Sequence, residues 1–221
     1  MTPKKRYLQV ALNSTLDEAH RIIHQLPVSD RIIIEAGTPL IKRYGEEGIR
    51  KIKQWYGQRL STFTPYIVAD LKMMDRGETE VEIAWRAGAS ATTALGSAPT
   101  ESLNAFIKKC DALGLDAMID MMNVEFPLAT LRALKKQPRV IILHRGVDEE
   151  RDNKQKQLPL HEIRRIKGSY DMMIAVAGGD SLREVQSASF NDADIVVLWK
   201  EFFKSGDDTG KLASEFLETV K

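Results

Sequence analysis

Short, unbroken apolar runs alternate along this chain with longer stretches whose apolar residues return every three or four positions. The runs fall at residues 7–12, 31–35, 66–70, 91–95, 117–120, 140–144, 172–176 and 195–198. Their continuous, largely β-branched character fits parallel strands buried on both faces. The stretches between them read as amphipathic helices. The first opens at Leu16, with Ser14 or Thr15 as its N-cap. A second, 47–56, carries Ile49, Ile52, Trp55 and Tyr56 at helical spacing. The pattern at 78–87 ends at Gly88 and that at 103–113 ends at Gly114, both suited to a helix C-terminus. Further helices are expected at 127–135, 161–167, 182–188 and 209–220.

Eight strand-then-helix units at about 25-residue spacing predict an α/β fold, a closed (β/α)8 TIM barrel. The alternative is an open doubly wound sheet. That fold usually brings a glycine-rich first turn, and the first turn here is Asn13-Ser14-Thr15. No linker or break in composition interrupts the 221 residues, so one barrel domain over 1–221 is expected.

Charge changes the picture by exclusion. The formal net charge is +1, so no broad field favours nucleic acid or an acidic membrane, and any anion site must be local. The single cysteine, Cys110, excludes an internal disulfide or a multi-cysteine metal cluster, and its helical context reads as a small buried hydrophobe. The basic start lacks a following signal-type apolar segment, and no apolar run approaches the roughly 20 residues of a membrane helix. The cytoplasm is the expected compartment.

The candidate chemistry lies where the strands end, which is where this kind of barrel builds its sites. Strand two ends in Glu35 and strand three in Asp70-Leu71-Lys72-Met73-Met74-Asp75. Strand five ends in Asp120, strand six in His144-Arg145, and strand seven runs into Gly178-Gly179-Asp180. Any one of these fits a structural salt bridge; together, capping five apolar strands on one rim, they predict a catalytic site. Alternation puts Asp70 and Lys72 on one side of an extended strand. A lysine among carboxylates stays protonated, ready to stabilise an enolate or donate a proton. Glu35 and Asp70, on adjacent strands, suit a hard divalent cation, Mg²⁺ or Mn²⁺ in its place. The plainer alternative is a buried Glu-Lys-Asp network bracing the rim. His144 suits proton transfer near neutral pH or, structurally, a bond to backbone. His20, His24 and His161 fall on helical stretches and read as surface residues. The Gly178-Gly179 turn offers backbone N–H groups to a phosphate. Residues 147–157 read as a polar loop, either a solvated excursion or a lid.

These segments resemble the orotidine 5′-monophosphate decarboxylase suprafamily, and within it most the 3-hexulose-6-phosphate synthases, particularly the archaeal type, and 3-keto-L-gulonate-6-phosphate decarboxylases. The resemblance is carried by 8–12, by Glu35-Ala36-Gly37-Thr38-Pro39-Leu40-Ile41, by 69–75, by Asp120-Met121-Met122-Asn123-Val124, by Leu143-His144-Arg145-Gly146 and by 175–179. It implies a barrel of the ribulose-phosphate-binding type. It implies a Mg²⁺-dependent aldehyde-lyase that condenses D-ribulose 5-phosphate with formaldehyde through a metal-stabilised enediolate, or runs in reverse. By the same resemblance Glu35 and Asp70 hold the metal, Lys72 stabilises the enediolate, His144 moves the proton, and Asp120 lies near the reacting carbons. Asp75 would cross into the partner's site in a homodimer. Asn13, Arg145, Gly178, Gly179 and Lys200 would serve substrate and phosphate.

Two positions depart from the family. Strand one ends in Asn13 where relatives have aspartate, which removes a charge from beside the lysine. Trp199-Lys200 stands where relatives have Gly-Arg, so the phosphate loses a bidentate fork. These departures keep two alternatives open: a decarboxylase or aldolase on another sugar phosphate, and a non-catalytic ligand-binding barrel. Orotidine monophosphate decarboxylation is disfavoured, because that chemistry works without a metal and Glu35 would sit beside an anionic substrate.

Overall fold

A parallel strand pair needs a crossover between its members, and the helical stretches supply one after every strand. The computed structural model describes all residues except Lys4, Lys154, Asp180 and Lys221. Asp180 of the expected rim and Lys154 of the 147–157 segment therefore lie outside the described residues. Among the described residues the strands are β1 (Tyr7–Leu12), β2 (Ile32–Ala36), β3 (Ile67–Met73), β4 (Ala91–Leu95), β5 (Asp116–Asp120), β6 (Val140–His144), β7 (Met173–Ala177) and β8 (Ile195–Leu198). They pair in parallel in chain order, and β8 returns to β1, closing the barrel.

Alternation along each strand divides the core in two. On β1, Leu8, Val10 and Leu12 enter the layer between sheet and helices, with Ile32, Ile34 and Ala36 of β2. Tyr7 and Ala11 join Ile33, Val68, Met118, Val140 and Ile195 inside the barrel. The interior is thus apolar at its floor. At the carboxyl ends of the strands the inward positions become polar, and there the cavity opens.

The helices follow the expected order: α1 (Leu16–Gln25), α2 (Thr38–Arg59), α3 (Gly77–Arg86), α4 (Thr100–Leu113), α5 (Pro127–Ala133), α6 (Val147–Asp152), α7 (His161–Lys167), α8 (Leu182–Phe190), α9 (Lys200–Lys204) and α10 (Thr209–Thr219). Thr15 caps α1, its hydroxyl accepting from Glu18 N at 3.2 Å. Gly114, at φ 71°, ends α4. Two differences from the sequence pattern bear on the site. α2 begins at Thr38, directly after β2, and is bent at Gly45; only its second half carries the 47–56 pattern. Residues 147–152, expected as loop, form α6, a helix with no buried residue, so it leaves no apolar stripe in the sequence.

Cys110 is buried, and burial pushes its thiol up to about 12, which makes it a packing residue. His20, His24 and His161 are exposed. No helix among the described residues is long and apolar enough to cross a membrane.

Candidate active site

A cavity of about 380 Å³ opens at the carboxyl end of the barrel. Gln9, Asn13, Glu35, Asp70, Lys72, Asp120, His144, Arg145, Gly178 and Trp199 all contribute to its wall. Asp75, Gly179 and Lys200 do not. Asp75 is exposed beyond the end of β3, Gly179 is buried behind the turn, and Lys200 opens α9 outside the wall.

β3 brings its two charged residues inward by an irregularity. Ala69 pairs with Thr92 and Met73 with Ala94, so four steps along β3 match two along β4. Lys72 takes up the excess at φ 49°, a left-handed conformation that costs a non-glycine residue about 1–2 kcal/mol. Its backbone N–H is held by Thr93 Oγ1 at 2.9 Å. Asp70 and Lys72 do face the same way, but through this bulge and not through a regular pleat.

The side chains form one network around Asp120. Lys72 Nζ donates to Asp120 Oδ2 at 2.7 Å, and His144 Nδ1 lies 2.7 Å from the same oxygen. Asp120 Oδ1 accepts from Met122 N at 2.9 Å. Burial would raise the Asp120 carboxyl, but His144 and Lys72 outweigh it and hold it well below the usual carboxylate range. An ionised carboxylate only accepts, so His144 Nδ1 carries the proton and the neutral ring keeps its lone pair on Nε2. Burial disfavours charge on His144 too, and Asp120 more than offsets it, so the imidazole pKa ends above its ordinary value. Lys72 follows the same pattern: burial lowers it, Asp70 and Asp120 raise it further, and it stays an ammonium.

Asp70 is braced from two sides. Thr93 Oγ1 donates to its Oδ1 at 2.7 Å and Thr38 Oγ1 to its Oδ2 at 2.8 Å, while Lys72 Nζ stands 3.2 Å from Oδ2. Glu35 Oε2 accepts from Gln9 Nε2 at 2.5 Å. Burial, then the charge of Asp70, pushes the Glu35 carboxyl up to about 7; Lys72, Gln9 and His144 pull less strongly the other way.

No three His, Cys, Asp or Glu side chains among the described residues group as a metal-binding set. Glu35 and Asp70 nonetheless fit a hard divalent cation in donor chemistry. Both are carboxylates on adjacent strands facing one cavity, and their mutual repulsion, visible in Glu35, is what such a cation relieves. Mg²⁺ commonly takes one or two protein carboxylates and leaves its other positions to water and substrate oxygens.

Arg145 is committed to the wall. Its Nε and Nη2 donate to Gly178 O at 3.1 and 2.5 Å, and Nη2 to Glu184 Oε1 at 2.8 Å. Gly178 has φ 93°, and a Cβ there would fall 2.1 Å from Arg145 O. A Cβ on Gly37 would likewise fall 1.8 Å from Asn13 Oδ1, so Gly37 makes room for the Asn13 carboxamide at the rim. Trp199 faces the cavity and packs on the barrel-interior cluster. Gln9, Thr38 and Thr93 escaped the sequence reading. Gln9 is the one polar position in an otherwise apolar first strand, and Thr93 lies mid-strand.

A closed parallel barrel with carboxylates, a lysine and a histidine converging on its carboxyl-end rim is the frame of a small-molecule enzyme. The chain belongs to the orotidine 5′-phosphate decarboxylase / HUMPS family, whose pattern it matches over residues 6–213. It is 36% identical over 217 residues to a bifunctional enzyme Fae/Hps of Methanocella arvoryzae, covering 97% of this chain and 53% of that protein. To the bifunctional enzyme Fae/Hps of Methanocaldococcus jannaschii it is 35% identical over 215 residues, covering 97% and 52%. The chain thus spans about half the length of these curated relatives. The 3-hexulose-6-phosphate synthase of Salmonella typhimurium superposes with a TM-score of 0.84 at 28% identity, covering 97% of this chain and 98% of that one. KGPDC from Streptococcus mutans shares the fold at a TM-score of 0.80 and 19% identity, with 97% of each chain covered.

Proposed function

We propose that this chain is an aldehyde-lyase of the 3-hexulose-6-phosphate synthase type, joining D-ribulose 5-phosphate and formaldehyde or catalysing the reverse cleavage. The observation that carries this reading is the convergence of Glu35, Asp70, Lys72, Asp120 and His144 on one cavity, with Lys72 and His144 sharing a single oxygen of Asp120. The bifunctional relatives and the superposed synthase support it.

A divalent cation held by Glu35 and Asp70 would supply Lewis-acid polarisation of the substrate's carbonyl and hydroxyl oxygens. The chain's own residues account for the rest. Neutral His144 takes the C1 proton of the ketose at Nε2, and Asp120 stabilises the resulting imidazolium. Lys72 faces the negative charge that is delocalised between C1 and the C2 oxygen. C1 then bonds to the formaldehyde carbon, and the His144 proton passes to the formaldehyde oxygen. Arg145, the Gly178 turn and, just outside the wall, Gly179 and Lys200 are assigned to the phosphate end, and Asn13 to the substrate's hydroxyls. Asp75 is assigned to the partner's site in a homodimer. The reading also takes residues 1–221 as one barrel domain acting in the cytoplasm.

A second reading keeps this chemistry and changes the sugar phosphate, to a related aldol or decarboxylation substrate. Trp199 on the cavity wall favours it, because an indole narrows the space available at the phosphate end. The two separate in one assay. Ribulose 5-phosphate and formaldehyde with Mg²⁺ should yield a hexulose phosphate, with activity lost on chelation and restored by the metal. No product under any metal condition would remove the first reading.

A further inference from the structure

Glu150 stands between two cations at the mouth of the cavity. Its side chain lines the wall, its carboxylate is ion-paired with Lys200, and its Oε1 lies 3.8 Å from Arg145 Nη2. Glu150 belongs to α6, which follows β6, and Lys200 opens α9, which follows β8. The pair therefore ties two loops of the rim together across the opening.

α6 buries none of its side chains, so no apolar area holds it down. Its tethers are polar. Glu150 reaches Lys200, while Glu149 accepts from Gly146 N at 3.0 Å and pairs with Lys156. Partly exposed ion pairs of this kind are weak and open to exchange. A phosphate group carries more charge than a carboxylate and offers more acceptor oxygens. It is therefore the chemical class of ligand able to take Lys200 from Glu150. The other cation at the mouth, Arg145, is shared with Gly178 O and Glu184, so neither cation is held by Glu150 alone.

We propose that Glu150 sets the anion specificity of this site, its carboxylate occupying the cations that a substrate's phosphate must win before the ligand seats. This rests on the assignment of the phosphate end made above. Glu150 then acts as a built-in competitor. A ligand with a weaker anion, or none, leaves the tie between α6 and α9 closed.

The test is calorimetric titration of inorganic phosphate into the full chain, compared among wild type, Glu150→Gln and Asp148→Asn. Asp148 lies on the same helix, 85% exposed and off the cavity wall, and its substitution changes net charge by the same amount. Glu150→Gln should bind phosphate up to about fivefold more tightly, the ceiling for releasing one partly exposed ion pair. Asp148→Asn should match wild type. Equal tightening in both variants would reveal only a general charge effect and overturn the proposal. Unchanged or weaker binding in Glu150→Gln, or no phosphate binding by any of the three, would overturn it too. Since no turnover is read, failure of the aldol assay alone would strike the proposed reaction and leave this competition standing.

Discussion

Lys72 Nζ stands 2.7 Å from Asp120 Oδ2, so the cation of one strand end is neutralised by a buried carboxylate from another. His144 uses the same oxygen, so Asp120 favours the charged form of both, with Asp70 adding to it at Lys72. Replacing Asp120 with asparagine keeps the shape and removes that charge. The two largest influences on His144 have opposite signs: burial lowers its pKa and Asp120 raises it. With Asp120 gone, burial and the Lys72 charge lower it and only the smaller influence of Asp70 raises it, so the imidazole should titrate below its wild-type midpoint. NMR titration of the His144 ring in wild type and Asp120→Asn reads this directly. An unchanged midpoint would separate His144 from Asp120.

Lys72→Ala should lower kcat by at least about 100-fold, the scale of losing one preorganised donor at a developing oxyanion. Folding should persist, because Asp70 keeps its two threonine donors and Asp120 keeps His144 and the Met122 N–H. Steady-state rates alongside thermal melts separate the two effects. Near-normal turnover would exclude Lys72 from the reaction.

Glu35 links the cation to pH. With its pKa raised to about 7, it is roughly half protonated at neutral pH and must lose that proton to bind a metal. Mg²⁺ affinity should therefore fall as pH drops through 7 and level off above it. Calorimetry in buffers of different ionisation enthalpy should find roughly half a proton released per metal at pH 7. Gln9→Leu removes the donor that favours the charged form, so affinity at pH 7 should weaken and recover at higher pH. A pH-independent affinity would mean that Glu35 is not a ligand.

Asp75 is exposed on the isolated chain, away from the cavity. If it serves a partner's site, Asp75→Ala and Lys72→Ala should each be inactive alone. Mixed and allowed to exchange subunits, they should regain up to about a quarter of wild-type activity, since only some shared sites are then intact. No recovery in a demonstrated heterodimer would confine each site to one chain.

The barrel was legible because its strands are buried on both faces and read as continuous apolar runs. Most of the rim was legible because charge at the end of such a run is conspicuous. What stayed hidden depended on geometry or on compensation. Lys72 reaches the cavity through a bulge, and nothing in Asp70-Leu71-Lys72 announces a left-handed residue. Gln9 is masked by the apolar residues around it, though burial makes its amide the partner of Glu35. α6 lacks an apolar face, so its helical form and the reach of Glu150 to Lys200 left no periodic trace. Asp75 and Lys200 carry suggestive positions in the sequence, but a single chain does not bring them to the wall.

The shared Asp120 oxygen matters only if His144 and Lys72 act together on a carbanion at C1. Ribulose 5-phosphate incubated in D2O with enzyme and Mg²⁺, and no formaldehyde, tests this by NMR. Wild-type protein should exchange one C1 proton for deuterium, and Lys72→Ala should leave C1 fully protonated over the same time. Condensation without any C1 exchange in the wild type, or equal exchange by Lys72→Ala, would contradict the mechanism built on these residues.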